Sequence, residues 1–478
     1  MPPIHDRDTM AVSLALTLAV AAAAAPAAGA GPYQPTEASL ASHPLPRWYD
    51  DAKLGIFIHW GLYSVPGYAT LDTVSFAQAQ DDIDGSGWFK NNAYAEWYYN
   101  TLLIDGSPTQ AWHAQHYGKD FNYYAFSKAF NEQTRKWNPD SWARLFKEAG
   151  AGYVVLTSKH HDGYTLWPSK VVNPHLQPGQ SHSERDIVGD LGKAVKGAGL
   201  RMGYYYSSVL DWSFLPGPIT SKASMDRLLV GQGADYERYA DAQLRELLER
   251  YKPDIAWNDI GYPPGGHPLE VIADYYNANP DGVANDRWSP FKFGDYTTPE
   301  YKVAEEIQAR KWEECRGVGR SFGLNRLEGE KETIPADELV HRFVDIVSKN
   351  GNLLLDVGPE PDGTIPAIQV DRLRKLGAWL KQNGDAIYAT RPWTRAEGKT
   401  ADGIDVRFTR KGDALYAVLL ARPTGSSVVL KDVPAPAHGR ARWLGASGTL
   451  AATAEGQDLR IPLPASLPGD FAWAVRLE

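Results

Sequence analysis

Seven polar residues with side chains that can attack, carry protons or hold hydroxyl groups lie at or just past the ends of short apolar runs. They are His59, His160, His161, Ser207, Asp259, Arg287 and Asp356. Carboxylates serve as nucleophiles and as general acids or bases, and a neutral histidine offers one donor and one acceptor. One polar residue at a strand end is unremarkable, but so many together indicate a shared site.

Asp259 is notable because the stretch before it, 254–257, reads as a buried strand. Side chains alternate across a strand, so Ile255, Trp257 and Asp259 share one face, with the aspartate at the strand end. From the residues alone a second interpretation is equally open, in which Asp259 caps the turn before Gly261 and Pro263.

The elements that must position these residues alternate in type between about residues 45 and 390. The predicted strands are 55–58, 153–157, 201–206, 254–257, 282–285 and 352–356, and the predicted helices are 141–150, 186–199, 236–251, 269–277, 337–348 and 371–382. Such alternation implies parallel strands joined by helices. The number of units favours a (β/α)8-like barrel, and the aromatic-rich stretch 81–120, which has no clear strand, indicates that it is irregular. Active sites of such barrels lie at the carboxyl ends of the strands, where the seven polar residues fall.

The pattern changes at about residue 393. Short alternating runs such as 405–409 and 415–420 follow, punctuated by Gly, Pro and Asp, and no helical period appears. This pattern predicts a small antiparallel β-sandwich. We expect it to pack against the barrel.

The N-terminus has the features of a signal peptide. Arg7 and a short polar stretch precede an almost unbroken Ala, Val and Leu run over 11–25, and Ala28, Gly29 and Ala30 then offer the small residues that a signal peptidase reads. The run is short for a membrane anchor. We therefore predict a secreted or periplasmic protein with a signal peptide over 1–30 cleaved near Ala30, a barrel over 31–390 and a β-sandwich over 391–478.

Composition narrows the class of partner. The net charge of −9 provides no basic surplus for nucleic acid or for an anionic membrane surface. The chain holds 16 Trp and 25 Tyr against 14 Phe, and flat side chains with a polar edge suit sugar rings. Cys315 is the only cysteine, so no disulfide within the chain is possible.

Seven segments resemble glycoside hydrolase family 29, the α-L-fucosidases, and occur in the family's order. They are 48–66, 96–98, 159–164, 257–259, 285–288, 311–315 and 351–359. The long first segment (WYDDAKLGIFIHWGLYSVP) and the double-histidine segment (KHHDGY) are specific, whereas Glu-Trp-Tyr alone would be weak.

The resemblance implies a retaining exo-α-L-fucosidase that needs no metal or cofactor and acts on fucosylated oligosaccharides or glycoconjugates. It identifies Asp259 as the nucleophile and Glu300, in Thr-Thr-Pro-Glu-Tyr, as the acid/base, with Glu313 as the alternative. A retaining glycosidase needs these two carboxyls, one to attack the anomeric carbon and one to protonate the leaving oxygen. Glu300 could instead be a capping or surface residue.

The resemblance also implies a set of residues that hold the sugar or flank the nucleophile. These are His59, Glu96, Trp97, His160, His161, Tyr206 and Arg287. Fucose carries a C6 methyl group, which requires an apolar wall, and Phe57 and Phe322 are the candidates. Many members of the family have Trp and Tyr where this chain has Phe322 and Leu324, a difference that bears on the leaving group.

Three alternatives remain at this point. A metal-dependent hydrolase could use the same histidines and Asp259, although adjacent residues in a strand point to opposite faces, so His160 and His161 converge only beyond a strand end. A sugar-binding protein without activity is the second alternative, and a different retaining glycosidase on the same barrel is the third.

Overall fold

The computed structural model describes residues 31–478, and the predicted signal peptide lies outside them. Seven parallel strands form a curled sheet in the order β5-β4-β3-β2-β1-β7-β6. Their bounds are β1 Leu54–Ile58, β2 Tyr153–Lys159, β3 Arg201–Ser207, β4 Ile255–Asp259, β5 Val283–Ala284, β6 Trp312–Gly317 and β7 Gly351–Val357. The prediction of an irregular (β/α)8-like barrel is therefore confirmed.

An extended segment, 296–300, lies between the two edge strands of this sheet. Tyr296 bridges Asn285, just after β5, and Thr297 and Glu300 form parallel bridges with Trp312 and Cys315 of β6. The segment stands where an eighth strand would be, which explains why a seven-stranded sheet can form a barrel. It also carries Glu300 to the carboxyl end of the barrel.

Helices connect the strands and cover the outside of the barrel. Their bounds are α1 Glu37–Ala41, α2 Arg47–Ala52, α3 Phe76–Ala79, α4 Tyr98–Leu102, α5 Pro108–Tyr117, α6 Phe126–Thr134, α7 Pro139–Glu148, α8 Ile187–Gly197, α9 Lys222–Asp226, α10 Ala234–Tyr251, α11 Pro268–Ala278, α12 Ala336–Ser348 and α13 Ala367–Asn383. The helix predicted over 141–150 begins earlier, because Asn138 caps it and Pro139 opens its first turn. Within residues 31–478 no helix is both long and apolar enough to cross a membrane.

The C-terminal part contains two antiparallel sheets, as the alternating pattern predicts. One has the order β13-β12-β16-β10-β9-β8 and the other β11-β15-β14. Their bounds are β8 Arg391–Lys399, β9 Asp405–Lys411, β10 Ala414–Leu419, β11 Ser427–Leu430, β12 Arg440–Trp443, β13 Leu450–Ala451, β14 Thr453–Glu455, β15 Asp458–Pro462 and β16 Trp473–Leu477. Tyr416 and Val418 of β10 belong to the same buried cluster as Leu376 and Leu380 of α13, so this part packs against the barrel helices.

The interior of the barrel follows strand parity. Phe57, Val155, Tyr205, Ile255 and Trp257 form one buried cluster inside it. The intervening residues of the same strands pack with the surrounding helices. Asp259 continues the inward-facing series of Ile255 and Trp257, as predicted.

Candidate active site

A cavity of about 420 Å³ opens at the carboxyl ends of the barrel strands. Ten of the residues predicted for the site line it. They are Phe57, His59, Glu96, Trp97, His160, His161, Asp259, Arg287, Glu300 and Phe322. The structure therefore brings the candidate nucleophile and the candidate acid/base to one cavity. Tyr206, Glu313, Ser207 and Asp356 do not line it.

Three donors hold the carboxylate of Asp259 at the end of β4. Its Oδ1 accepts hydrogen bonds from Arg287 Nη1 at 2.7 Å and from the backbone N–H of Ile260 at 2.9 Å. Its Oδ2 accepts one from the hydroxyl of Tyr205 at 2.8 Å. Donors from a guanidinium, a phenol and the backbone fix the orientation of the carboxyl group.

The turn after Asp259 is held by Asn258. Its side-chain amide donates to the carbonyl groups of Gly261 and Arg287, at 3.0 and 2.7 Å. Ile260 has φ of 64°, a left-handed conformation that a β-branched side chain rarely adopts. Such backbone strain, worth about 1–3 kcal/mol, is typical of functional sites where the surroundings enforce it.

Arg287 connects the two candidate catalytic carboxyls. Nη1 donates to Asp259, and Nη2 lies 3.4 Å from Glu300 Oε2. The guanidinium group also donates to the side chain and the carbonyl of Thr298, both at 2.9 Å, and lies 4.8 Å from the ring centroid of Trp257. One cation held this rigidly keeps both carboxyls in place.

Glu300 has the environment that a proton donor needs. Burial raises the pKa of its carboxyl, and the charge of Arg287 offsets this only in part. Its Oε1 accepts a hydrogen bond from the hydroxyl of Tyr94 at 2.7 Å. A carboxyl with a raised pKa remains protonated closer to neutral pH, which a general acid requires.

Glu96 is a second buried carboxyl in the cavity wall. Burial raises its pKa to about 7, although the backbone N–H of Gly323 donates to its Oε2 at 2.7 Å. The Ser321 hydroxyl lies 3.3 Å from the same oxygen. Since both of these contacts are to Oε2, Oε1 remains for a ligand hydroxyl group.

His59 is fixed by a carboxylate behind it. Its Nδ1 lies 2.6 Å from Asp356 Oδ1 of β7. Burial lowers the pKa of His59 and raises that of Asp356, so it disfavours the charged form of each. A neutral imidazole with one nitrogen engaged presents its other nitrogen to the cavity.

His160 and His161 both line the cavity because β2 ends at Lys159 and both lie beyond it. The hydroxyl of Ser207 donates to the carbonyl of Leu210, so its oxygen accepts from His161 Nδ1 at 2.7 Å. Burial lowers the pKa of both histidines. In neutral His161, Nε2 is therefore an acceptor, and it lies 3.8 Å from Asp259 Oδ2.

Tyr206, which the resemblance places in the site, does not line the cavity, whereas its neighbour Tyr205 does. The hydroxyl of Tyr206 donates to Gln243 Oε1 of α10 at 3.0 Å, outside the barrel. Tyr205 lines the cavity, stacks on Trp257 and donates to Asp259. Strand parity alone would have identified Tyr205, since Tyr205 lies on the same face of β3 as Ser207 at the strand end.

The adjacent tyrosines provide a matched test. We expect Tyr205→Phe to lower kcat/KM for an aryl α-L-fucoside by about ten- to a hundredfold, because it removes a hydrogen bond to a charged group. Tyr206→Phe removes a hydroxyl from the other face of the same strand and should change kcat/KM less than about threefold. Steady-state kinetics of both variants check this, and equal losses would contradict the assignment of Tyr205.

Glu313, the alternative acid/base, lies deeper in the barrel than Glu300 and outside the cavity. Two phenols, of Tyr49 and Tyr153, donate to its Oε2, and the indole N–H of Trp257 donates to its Oε1 at 3.0 Å. It is fully buried and does not line the cavity. It precedes the cavity residue Cys315 by two positions on β6, and its contact with Trp257 supports the cavity floor from below.

Several residues of the cavity were not predicted from the sequence. They are Phe76, Ile83, Trp88, Phe89, Tyr94, Tyr205, Met225, Trp257, Ile260, Gly261, Ser289 and Cys315. Strand parity identifies Tyr205 and Trp257, because each lies two positions before a polar residue at the end of its strand. The segment 76–94 shows no alternation typical of a strand, so the sequence does not indicate which of its residues line the cavity. Within residues 31–478 no group of three or more His, Cys, Asp or Glu side chains is arranged to hold a metal ion.

Known proteins with the same sequence pattern and fold are α-L-fucosidases. A family model described as alpha-L-fucosidase matches residues 19–385. Tissue alpha-L-fucosidase of Bos taurus is 35% identical over 474 residues, covering 93% of this chain and 91% of the bovine protein. Alpha-L-fucosidase of Dictyostelium discoideum is 33% identical over 454 residues, covering 91% and 90% of the two chains.

Solved structures agree with these relatives. The alpha-fucosidase of Thermotoga maritima in complex with fucose matches with a TM-score of 0.84 and 42% identity, over 93% of this chain and 100% of that chain. Alpha-L-fucosidase isoenzyme 1 of Paenibacillus thiaminolyticus matches with a TM-score of 0.67 and 25% identity, over 90% and 97% of the two chains. This chain therefore belongs to the α-L-fucosidase family of glycoside hydrolases.

Proposed function

We propose that the protein is a retaining exo-α-L-fucosidase that removes terminal α-L-fucosyl residues from oligosaccharides or glycoconjugates. The observation that carries this proposal is the pair of carboxyls, Asp259 and Glu300, in one cavity and in contact with the same guanidinium group of Arg287. The two carboxyls lie in different environments, as the different roles of nucleophile and proton donor require. Asp259 is held by three donors, whereas burial favours the protonated form of Glu300.

In the first step, the carboxylate of Asp259 attacks the anomeric carbon. The bond between that carbon and the glycosidic oxygen breaks, and the proton of Glu300 passes to the departing oxygen. In the second step, Glu300, now ionised, accepts a proton from water, and the water oxygen displaces Asp259 from the sugar. Two inversions leave the product with the configuration of the substrate.

The remaining polar residues have the chemistry needed to hold the sugar. His59 and His161 each keep one ring nitrogen engaged behind the site, and Glu96 keeps one oxygen engaged. Their other polar atoms are available for the hydroxyl groups of fucose. Phe57 and Phe322, with ring centroids 6.3 Å apart, form an apolar wall suited to the C6 methyl group.

The configuration of the first product tests this function. With the wild-type protein and 4-nitrophenyl α-L-fucoside, proton NMR should show α-L-fucose first and its β anomer only after mutarotation. If β-L-fucose appeared first, the enzyme would be an inverting fucosidase. Absence of fucose release would contradict the proposed activity altogether.

We also propose that the protein is exported. The supporting features are the apolar run over 11–25 and the small residues that end at Ala30. N-terminal sequencing of the mature protein from its native host should begin close to residue 31, and an intact N-terminus would contradict export with cleavage.

A further inference from the structure

We propose that the outer part of the cavity binds the leaving group and selects leaving groups that present a ring-sized apolar face. This part, here named the apolar vestibule, consists of Phe76, Ile83, Trp88, Phe89, Met225 and Ile260. The inference rests on the proposed function, because it assigns a leaving group to the reaction proposed for Asp259 and Glu300.

The position of Glu300 fixes where the leaving group lies. A general acid must be within hydrogen-bond reach of the oxygen that it protonates, so the leaving group lies against Glu300. Tyr94 donates to the carboxyl of Glu300, and its ring lies 5.7 Å from Phe76 and 5.3 Å from Trp88. Gln80, between these two aromatic residues in the chain, donates to the carbonyl of Glu300 at 3.1 Å.

The chemistry of the vestibule differs from that of the sugar-binding end. The fucose end presents the three histidines, Glu96 and both catalytic carboxyls, whereas none of the six vestibule side chains carries a charge. The indole N–H of Trp88 is its one strong donor, and it has no hydrogen-bond partner among the described residues. A ligand here gains chiefly from burying apolar surface.

The rim of the vestibule is open to solvent. Trp88 and Phe89 are buried, but Phe76, Ile83, Met225 and Ile260 are only partly buried. Phe76 and Ile83 come from one chain segment, Met225 from a second and Ile260 from the turn after β4, so apolar groups enter from three segments. Two ring types offer the required face: an aryl group, and a pyranose whose C–H groups form one flat side.

The test uses three substrates with the same fucosyl group: α-L-fucosyl fluoride, 4-nitrophenyl α-L-fucoside and a fucosyl disaccharide. The fluoride has no ring in its leaving group and reports on the fucose end alone. We expect Phe76→Ala and Met225→Ala to lower kcat/KM for ring-bearing substrates by about tenfold, while kcat/KM for the fluoride changes less than about twofold. Val172→Ala, at a residue 80% exposed outside the cavity, is the control and should change none of the three.

The substrate pattern decides the result. Comparable losses with both ring-bearing substrates support a face shared by aryl groups and sugars, and loss with the nitrophenyl fucoside alone identifies an aryl face. A loss confined to the disaccharide, the substrate that most needs protonation, would instead show that Glu300 had been displaced and would overturn the inference. Equal losses for the fluoride and the ring-bearing substrates, or no loss for any, would overturn the inference. If the wild-type protein left the fluoride unhydrolysed, the proposed function itself would fail, which is a separate result.

Discussion

Asp259→Ala is expected to lower kcat for an aryl α-L-fucoside by about 10⁴-fold or more, the scale seen when an enzyme loses its nucleophile. The substitution removes the carboxylate proposed to bond to the anomeric carbon, and no neighbouring carboxyl lies in the same position. The side chain is small and faces the cavity, so we expect the fold to persist, and a melting temperature close to that of the wild type would confirm it.

Asp254→Ala is a useful control for this variant. Asp254 immediately precedes the same strand at its other end, where it contacts Arg201 and the backbone N–H of Met202. We expect Asp254→Ala to lower stability and to leave kcat within about threefold of the wild type. Catalytic residues of a barrel lie at the carboxyl ends of its strands, whereas Asp254 lies at the opposite end. Activity close to wild type in Asp259→Ala would contradict its role as nucleophile.

Glu300→Ala should have the second-largest effect, and its size should depend on the leaving group. A positioned general acid raises the reaction rate by about 10²–10⁴-fold. The loss on its removal is largest for substrates with leaving groups that depend most on protonation. We therefore expect formation of the fucosyl-enzyme to suffer least with α-L-fucosyl fluoride, more with the nitrophenyl fucoside and most with a fucosyl disaccharide. Pre-steady-state kinetics of the three substrates measure this step, and equal losses would contradict the assignment.

The pH profile separates Glu300 from Glu96, because burial raises the pKa of both carboxyls, that of Glu96 to about 7. A general acid acts in its protonated form, so with Glu300 in the proposed role kcat/KM for the disaccharide should fall as pH rises through the pKa of Glu300. Glu300→Gln should lack this basic limb, whereas Glu96→Gln should retain it. A basic limb that persisted in Glu300→Gln and vanished in Glu96→Gln would assign the titration to Glu96.

The barrel could be predicted because its helices and strands alternate regularly, but two of its elements gave no such signal. β6 includes Glu313, Glu314 and Arg316, so it does not read as an apolar run. Its polar groups are satisfied in the fold, Glu314 by Arg342 and Glu313 by two phenols and an indole. The segment 296–300 is recognisable as part of the barrel only from its bridges to neighbouring strands.

Site residues could be predicted where they lie at strand ends, which strand parity orients, or in motifs of the family. Asp259, Arg287 and the histidines lie at strand ends or in specific motifs, and the structure brings them together. The family resemblance indicates Tyr206, whereas strand parity indicates Tyr205, and Tyr205 is the one that lines the cavity. The apolar vestibule could not be predicted, since Phe76 and Met225 come from segments about 150 residues apart in the chain, and only the fold brings such segments together.

The configuration of the product formed with azide tests the central claim most directly. In Asp259→Ala, azide can occupy the space of the lost carboxylate and attack the anomeric carbon from that side, so NMR should identify β-L-fucosyl azide. In Glu300→Ala, azide should instead attack the fucosyl-enzyme and give the α anomer. Recovery of activity with the β product in Asp259→Ala is the predicted result; an α product in that variant, or no azide adduct at all, would contradict Asp259 as the nucleophile.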